Sequence, residues 1–327
     1  MTALRRLGAT SLNVVGLLLA VVVLNFLLIQ AAPGDPAQVI AGEMGGASPE
    51  IMAEIRTRYG LDRSVPEQLA TYVGRVARGD LGYSFYFNEP VSRLILGQLP
   101  ATAILVLTSL GFAVLAGAAL GILSARRPHG LLSHAVSLVA IAGNAAPVFW
   151  TGLMLLVLFA SVWPVLPVAG MSDVANPATG LAAILDVGRH LVLPALTLGI
   201  VYVAQYSRLM RTSMIDALQA DYVRTARAKG LPERVVVGKH ALRNALIPLV
   251  TMVGLQFGQL FAGAILVETV FAWPGLGRLT FESILRRDYP TLLGILFCSA
   301  LLVITANIVT DLIYRLIDPR IRAGRTA

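Results

Sequence analysis

Few side chains in this 327-residue sequence stand at spacings that could carry covalent chemistry. The four histidines, His129, His134, His190 and His240, form no HExxH or similar ligand set, so no metal centre is expected. Cys298 is the single cysteine, sits in an apolar run, and has no partner for a disulfide or a CxxC pair. No Ser-Lys or paired-Asp set falls inside an apolar run, and no catalytic residue is named. A phosphate-binding loop needs a lysine followed by serine or threonine. The two lysines, Lys229 and Lys239, precede Gly230 and His240 instead, so the chain does not hold ATP by that route. What remains is hydrogen bonding and shape. Amides stand inside apolar runs at Asn144, Gln205, Gln256 and Gln259. A punctuated basic stretch runs from Asp221 to Leu231, and an aromatic, glycine-rich turn from Glu268 to Gly277.

The elements that must position these residues are set by composition. The chain is 56% hydrophobic and 13% charged, with a mean hydropathy of +0.74. Soluble chains are about a quarter charged. The deficit favours one bundle of membrane helices over two or three soluble domains. A helix crossing the hydrocarbon core needs about 20 apolar residues. Six uncharged runs qualify: Leu7–Ile29, Ala101–Ala125, Leu131–Ser172 (ending near Pro164 and Pro167), Leu191–Ser207, Asn244–Val267 and Tyr289–Thr310. The first follows Arg5 and Arg6 but is longer than the 7–15-residue core of a secretory signal, and reads as a retained anchor.

Six spans put both termini on one side. That side carries Arg5, Arg6, Arg126, Arg127, eight basic residues between Arg208 and Arg243, and Arg315, Arg320, Arg322 and Arg325. Only four acidic residues join them: Asp216, Asp221, Glu233 and Asp318. Basic residues collect on the cytosolic side, so both termini read as cytosolic. The net charge of +8 is therefore a topology signal and does not point to nucleic acid. The expected organisation is a first helix over residues 1–30, an external segment over 31–99, a five-helix core over 100–315 holding the cytosolic loop 208–243, and a cytosolic tail over 316–327.

The external segment opens on the turn Pro33-Gly34-Asp35-Pro36. Ser48 and Pro49 start one short helix, which Gly60 ends; Pro66 and Gly79 bound another. Leu69, Tyr72, Val73 and Val76 share one face of the second. That spacing favours a cap packed on the bundle over a docking surface for an external partner.

In the cytosolic loop, Asp221 can cap a helix over Tyr222–Lys229, about 12 Å long. Gly230 stands where a helix end needs a left-handed residue, and Pro232 prevents continuation. Leu231 can fold back onto Ala226, and Pro232 and Glu233 suit the first turn of the next helix. Ala226 and Ala228 leave room for another protein, with Arg224, Thr225, Arg227 and Lys229 beside them. A plain basic loop that only fixes topology would not need this punctuation.

The stretch Tyr222-Val223-Arg224-Thr225-Ala226-Arg227-Ala228-Lys229-Gly230-Leu231, with His240, Arg243-Asn244-Ala245 and Pro248, resembles the cytosolic signature of permease subunits of ABC importers, in the dipeptide, oligopeptide and nickel branch. Arg224-Thr225-Ala226 stands where the wider importer motif reads Glu-Ala-Ala. Gly79-Asp80-Leu81-Gly82, Leu99-Pro100-Ala101-Thr102, Pro147-Val148-Phe149-Trp150 and Phe271-Ala272-Trp273-Pro274-Gly275-Leu276-Gly277 are similar to the same branch, in the same order. The resemblance implies a multi-pass subunit of the bacterial cytoplasmic (inner) membrane and a second, homologous permease. It also implies two cytosolic ATPases that bind the ATP and magnesium, and an external solute-binding protein. The Asp221–Leu231 stretch would be the coupling helix seated on an ATPase. Di- or oligopeptides are the expected solute; nickel chelates and glutathione are also carried by the branch. A self-contained channel or ion-coupled carrier is the competing reading, although ionisable groups are almost absent from the spans. Asp311, near the cytosolic end of the sixth span, is expected to pair with an arginine such as Arg315.

Three questions stay open on sequence alone. Ala113, Gly117 and Gly121, and likewise Gly254, Gly258 and Ala262, recur every four residues. Such stripes let helices approach closely, either inside the bundle or against a second permease. Gln256 and Gln259 share a helix face and can line a passage or bond between helices. Glu268, Phe271, Trp273, Pro274, Gly275 and Gly277 can form an external gate or a docking turn.

Overall fold

Apolar runs with no water to face satisfy their backbone groups internally, and here they do so as helices. The computed structural model describes residues 2–31, 48–59, 62–84, 86–126, 128, 130, 131, 133–136, 138, 143 and 146–317. Asn144, Gly60, the Pro33–Pro36 turn and the tail from 318 lie outside them.

The helices are α1 (Thr2–Ala31), α2 (Pro49–Tyr59), α3 (Val65–Ala77), α4 (Val91–Arg126) and α5 (Val148–Leu156), which runs on into a π-helical turn, Val157–Val162. There follow α6 (Leu181–Gln219), α7 (Asp221–Ala228) and α8 (Glu233–Val235), continued by the π-helical turn Val236–Ala241. The last are α9 (Leu242–Val270), α10 (Leu276–Arg286) and α11 (Tyr289–Ile317). A two-residue hairpin pairs β1 (Tyr83–Ser84) with β2 (Glu89–Pro90). Among the described residues, α4, α6 and Tyr289–Thr310 of α11 are long and apolar enough to cross a membrane. A fourth span results if the bent pair across Glu233–Val270 counts as one, and Leu12–Leu28 and Val148–Val162 are shorter apolar helices.

Two helices outrun their apolar runs. The fourth run, expected over Leu191–Ser207, lies within a 39-residue helix, and the second begins at Val91 and passes through Pro100. Charges such as Asp186, Arg189, Arg208 and Arg211 end an apolar run without ending a helix, because a helix can continue beyond the apolar layer.

The chain divides into two compact units: residues 1–100 with 279–305, and residues 101–278 with 306–327. In the first, α3 lies along α1. The Phe26 and Tyr72 rings stand 6.2 Å apart, so the shared face of the second short helix is used as a cap. Asn25 donates to the carbonyl of Leu293 at 3.3 Å. In the second, α6 packs against both α5 and α9. A Cβ added at Gly117 would stand 2.6 Å from the Tyr206 Cβ, and one at Gly121 2.6 Å from the Met210 Cβ. The Ala113–Gly117–Gly121 stripe is therefore spent inside the unit, on α6. Gly254 likewise faces Thr310, whereas Ala262 on the same helix is exposed.

Candidate functional site

Helix α7 forms where the glycine and proline punctuation places it, with one change at its start. Ala220 takes the N-cap position in extended conformation, and Asp221 is the first helical residue with no side-chain cap bond. Asp221 still sits in the first turn, where a carboxylate suits the helix dipole. At the other end Gly230 adopts φ +72° and donates to the Arg227 carbonyl at 2.9 Å. The helix has two faces. Val223 and Ala226 are buried against this chain's own core, on the end of α6 and the turn Val236–Ala241. Ala226 is thus packing within the chain and leaves no room for a partner. Tyr222, Thr225, Lys229 and Leu231 are exposed, as are Arg224 and Ala228.

The cations are not equivalent. Arg227 grips Glu233 with two bonds, Nη2 to Oε1 at 2.7 Å and Nε to Oε2 at 3.2 Å. This bidentate pair ties α7 to α8 across the glycine turn. The Arg227 bond also holds the Glu233 carboxyl below the usual carboxylate range. Arg224 stands 3.7 Å from Asp221 with both side chains mostly exposed, a contact worth little.

The Glu268–Gly277 turn is a buried knot. α9 ends by a Schellman arrangement: Trp273 N–H donates to Glu268 O at 2.9 Å and Ala272 N–H to Thr269 O at 3.3 Å. Ala272 takes the left-handed position at φ +48°, where glycine is usual. The Glu268 carboxyl is fully buried. It accepts from Gly277 N–H at 2.7 Å, from Arg278 N–H at 3.1 Å, and from the Thr102 hydroxyl at 2.7 Å. Thr102 in turn accepts from Leu276 N–H at 2.8 Å. Glu268 and Thr102 together therefore cap the first turn of α10, satisfying N–H groups that have no partner within the helix. Gly275 and Gly277 make this possible, because a Cβ at either would collide with the Glu268 carboxyl. Trp273, also buried, donates from Nε1 to the Ala101 carbonyl at 2.9 Å, and Phe271 O accepts from Gly170 N–H at 2.9 Å. Pro274 is half-buried.

Of the four amides, two meet. Gln256 donates to Gln205 between α9 and α6, and is 6% exposed. Gln259, three residues on, is exposed on α9 beside Leu255, Ala262 and Leu266.

Sequence reasoning did not mark Thr102 as a site residue, nor Asp288 at all. Asp288 is buried and caps α11. It accepts from the hydroxyls of Ser84 at 2.5 Å and Thr291 at 2.6 Å, and from Thr291 N–H at 3.3 Å. Its place just before Tyr289 and Pro290 is the N-cap signal that could have found it.

Several long apolar helices in one chain define a polytopic membrane protein. The chain belongs to the family described as binding-protein-dependent transport system inner membrane component, whose pattern matches residues 117–323. The N-terminal pattern of the same kind of transport component matches residues 3–106. It is 43% identical over 319 residues to the di/tripeptide transport system permease protein DppB of Pseudomonas aeruginosa, covering 93% of this chain and 95% of that one. The glutathione transport system permease protein GsiC of Pectobacterium atrosepticum is 40% identical, with 95% and 96% covered. The inward-facing MetNI methionine ABC transporter shares the fold at a TM-score of 0.55 and 17% identity, over 69% of this chain and 96% of that one.

Proposed function

We propose that this chain is the translocating subunit of an ABC importer for di- or oligopeptides, working beside a second permease, two cytosolic ATPases that bind ATP and magnesium, and an external solute-binding protein. Its six apolar helices cross the cytoplasmic membrane with both termini cytosolic, so that α7 faces the cytosol and the Glu268–Gly277 turn faces out. The peptide reading rests on relatives that carry di- and tripeptides in name; a glutathione permease among them keeps small peptide-like solutes as the class.

The observation that carries the mechanism is the two-faced α7. Its Val223–Ala226 side is packed on the membrane helices, and its Tyr222–Thr225–Lys229 side is free. With Asp221, Arg224, Gly230 and Leu231 around it, this is the surface we assign to the ATPase. Force applied there passes to α6 and, through Arg227–Glu233, to the helix entering α9. Gln259, Asn144 and the Gln205–Gln256 pair are assigned to the passage. The outer turn of Phe271, Trp273, Pro274, Gly275 and Gly277 around Glu268 is assigned to the external gate, as a rigid part that moves whole.

The test is uptake of a labelled dipeptide by cells carrying the whole importer. Thr225→Trp combined with Tyr222→Ala, both on the free face, is expected to leave the protein inserted but abolish uptake and stimulation of ATP hydrolysis by the binding protein. Normal, coupled uptake by that variant sinks the assignment.

A further inference from the structure

Helix α10 is joined to α9 by five residues and to α11 by two. Its eleven residues span about 16 Å, roughly half the ~30 Å hydrocarbon core, so it cannot cross the bilayer. Both of its ends are pinned to helices assigned above as spans. It must therefore lie near the level at which those spans leave the membrane.

Its circumference has three stripes. Leu276, Leu279, Thr280 and Ser283 are buried. Phe281, Ile284 and Leu285, spaced i, i+3, i+4, form an apolar stripe exposed by 43, 55 and 66%. Arg278, Glu282 and Arg286, spaced four apart, make a charged stripe beside it. A helix bathed in water would be polar over its whole outward surface, and one inside the acyl region would be apolar over it. An outward surface divided lengthwise is that of a helix lying at the boundary. The C-terminal end agrees. Arg286 lies 5.0 Å above the Tyr86 ring, and Arg287 is exposed next to it, a pairing of aromatic and cation suited to the headgroup layer.

We propose that α10 is an in-plane membrane helix, with Phe281, Ile284 and Leu285 inserted among phospholipid acyl chains and Arg286 and Arg287 at the phosphates. Phospholipid is favoured over a second permease by size. The three side chains expose on the order of 300 Å², well short of the roughly 800 Å² per partner of a stable protein interface. Because Glu268 and Thr102 cap its first turn, lipid holds the outer turn at a set height. The proposal rests on α9 and α11 being spans.

The chain's single cysteine makes the test direct. In a Cys298→Ser background, Phe281→Cys and Leu285→Cys are each spin-labelled, assembled with unlabelled partner subunits, and placed in bilayers of phosphatidylethanolamine and phosphatidylglycerol. Collision with oxygen is compared with collision with a water-soluble nickel chelate. Leu301→Cys on α11 serves as the span control and Thr179→Cys as the water control. Both α10 labels are expected to meet oxygen freely and nickel several-fold less than the Thr179 label does. Nickel access equal to Thr179 overturns the proposal in favour of a helix in water. Protection from both reagents overturns it in favour of a protein partner. Nickel access at Leu301 would instead sink the span reading itself.

Discussion

Replacing Thr102 by valine removes one hydroxyl and leaves the side chain almost the same size. In the wild-type chain that hydroxyl donates to Glu268 Oε1 at 2.7 Å and accepts from Leu276 N–H at 2.8 Å. Thr102, Glu268 and Leu276 are all buried, so water does not replace the lost partner. A buried acceptor left unpaired costs about 1–3 kcal/mol, and the second bond adds about 1 kcal/mol. A loss of about 2–4 kcal/mol is a large share of a typical folding stability of about 5–15 kcal/mol. It corresponds to a fall in melting temperature of roughly 3–6 °C for a chain of this size. The assay is thermal denaturation of the purified permease in one detergent, with Thr102→Ser beside it. Serine keeps the hydroxyl and is expected to melt close to wild type. If the valine and serine variants melt within about 1 °C of each other, the hydroxyl does not hold the turn and the magnitude reasoning fails here.

Gly121→Val should prevent assembly, because even a Cβ there meets the Met210 Cβ at 2.6 Å and the Ser207 carbonyl at 2.7 Å, while Gly74→Ala, with open space around it, should yield normal amounts of folded protein on size exclusion. Ala272→Gly should raise stability by about 1 kcal/mol, since a left-handed residue with a Cβ costs about 1–2 kcal/mol, measurable as a higher melting temperature. The Glu233 carboxyl has a folded pKa lowered by Arg227, so its contribution is present at neutral pH, above the unfolded value, and is lost as pH falls through the folded value, below the usual carboxylate range. Arg227→Gln should move the Glu233 titration, followed by NMR of labelled glutamate, up towards the ordinary carboxylate range; an unmoved titration refutes the pair.

The legible part of the site was local. Gly230 and Pro232 act within a residue or two of themselves, so the end of α7 and the start of α8 could be read directly, and Gly230 has the expected left-handed φ. Where neighbouring residues compete for one position, the local signal does not decide between them. Asp221 is a good cap residue, yet Ala220 takes that position because the chain leaving α6 is already extended there. Ala272 and Arg287 went unmarked because left-handed helix ends are sought at glycine, and here the surrounding bonds hold other residues in that conformation.

By itself the sequence determined the class of molecule. Uncharged runs too apolar for water call for membrane helices, and the ordered motifs pointed to the family that the whole-length relatives share. Only the tertiary structure decided what the shared faces are for. It put the Ala113–Gly117–Gly121 stripe on α6, paired Gln256 with Gln205, buried Ala226 in the chain's own core, and closed Glu268 against Thr102, 166 residues away. The reason is physical. Periodicity states which residues share a helix face, but a face acquires a partner only when helices far apart in the chain pack. That choice depends on the fit of every face at once, not on any local pattern.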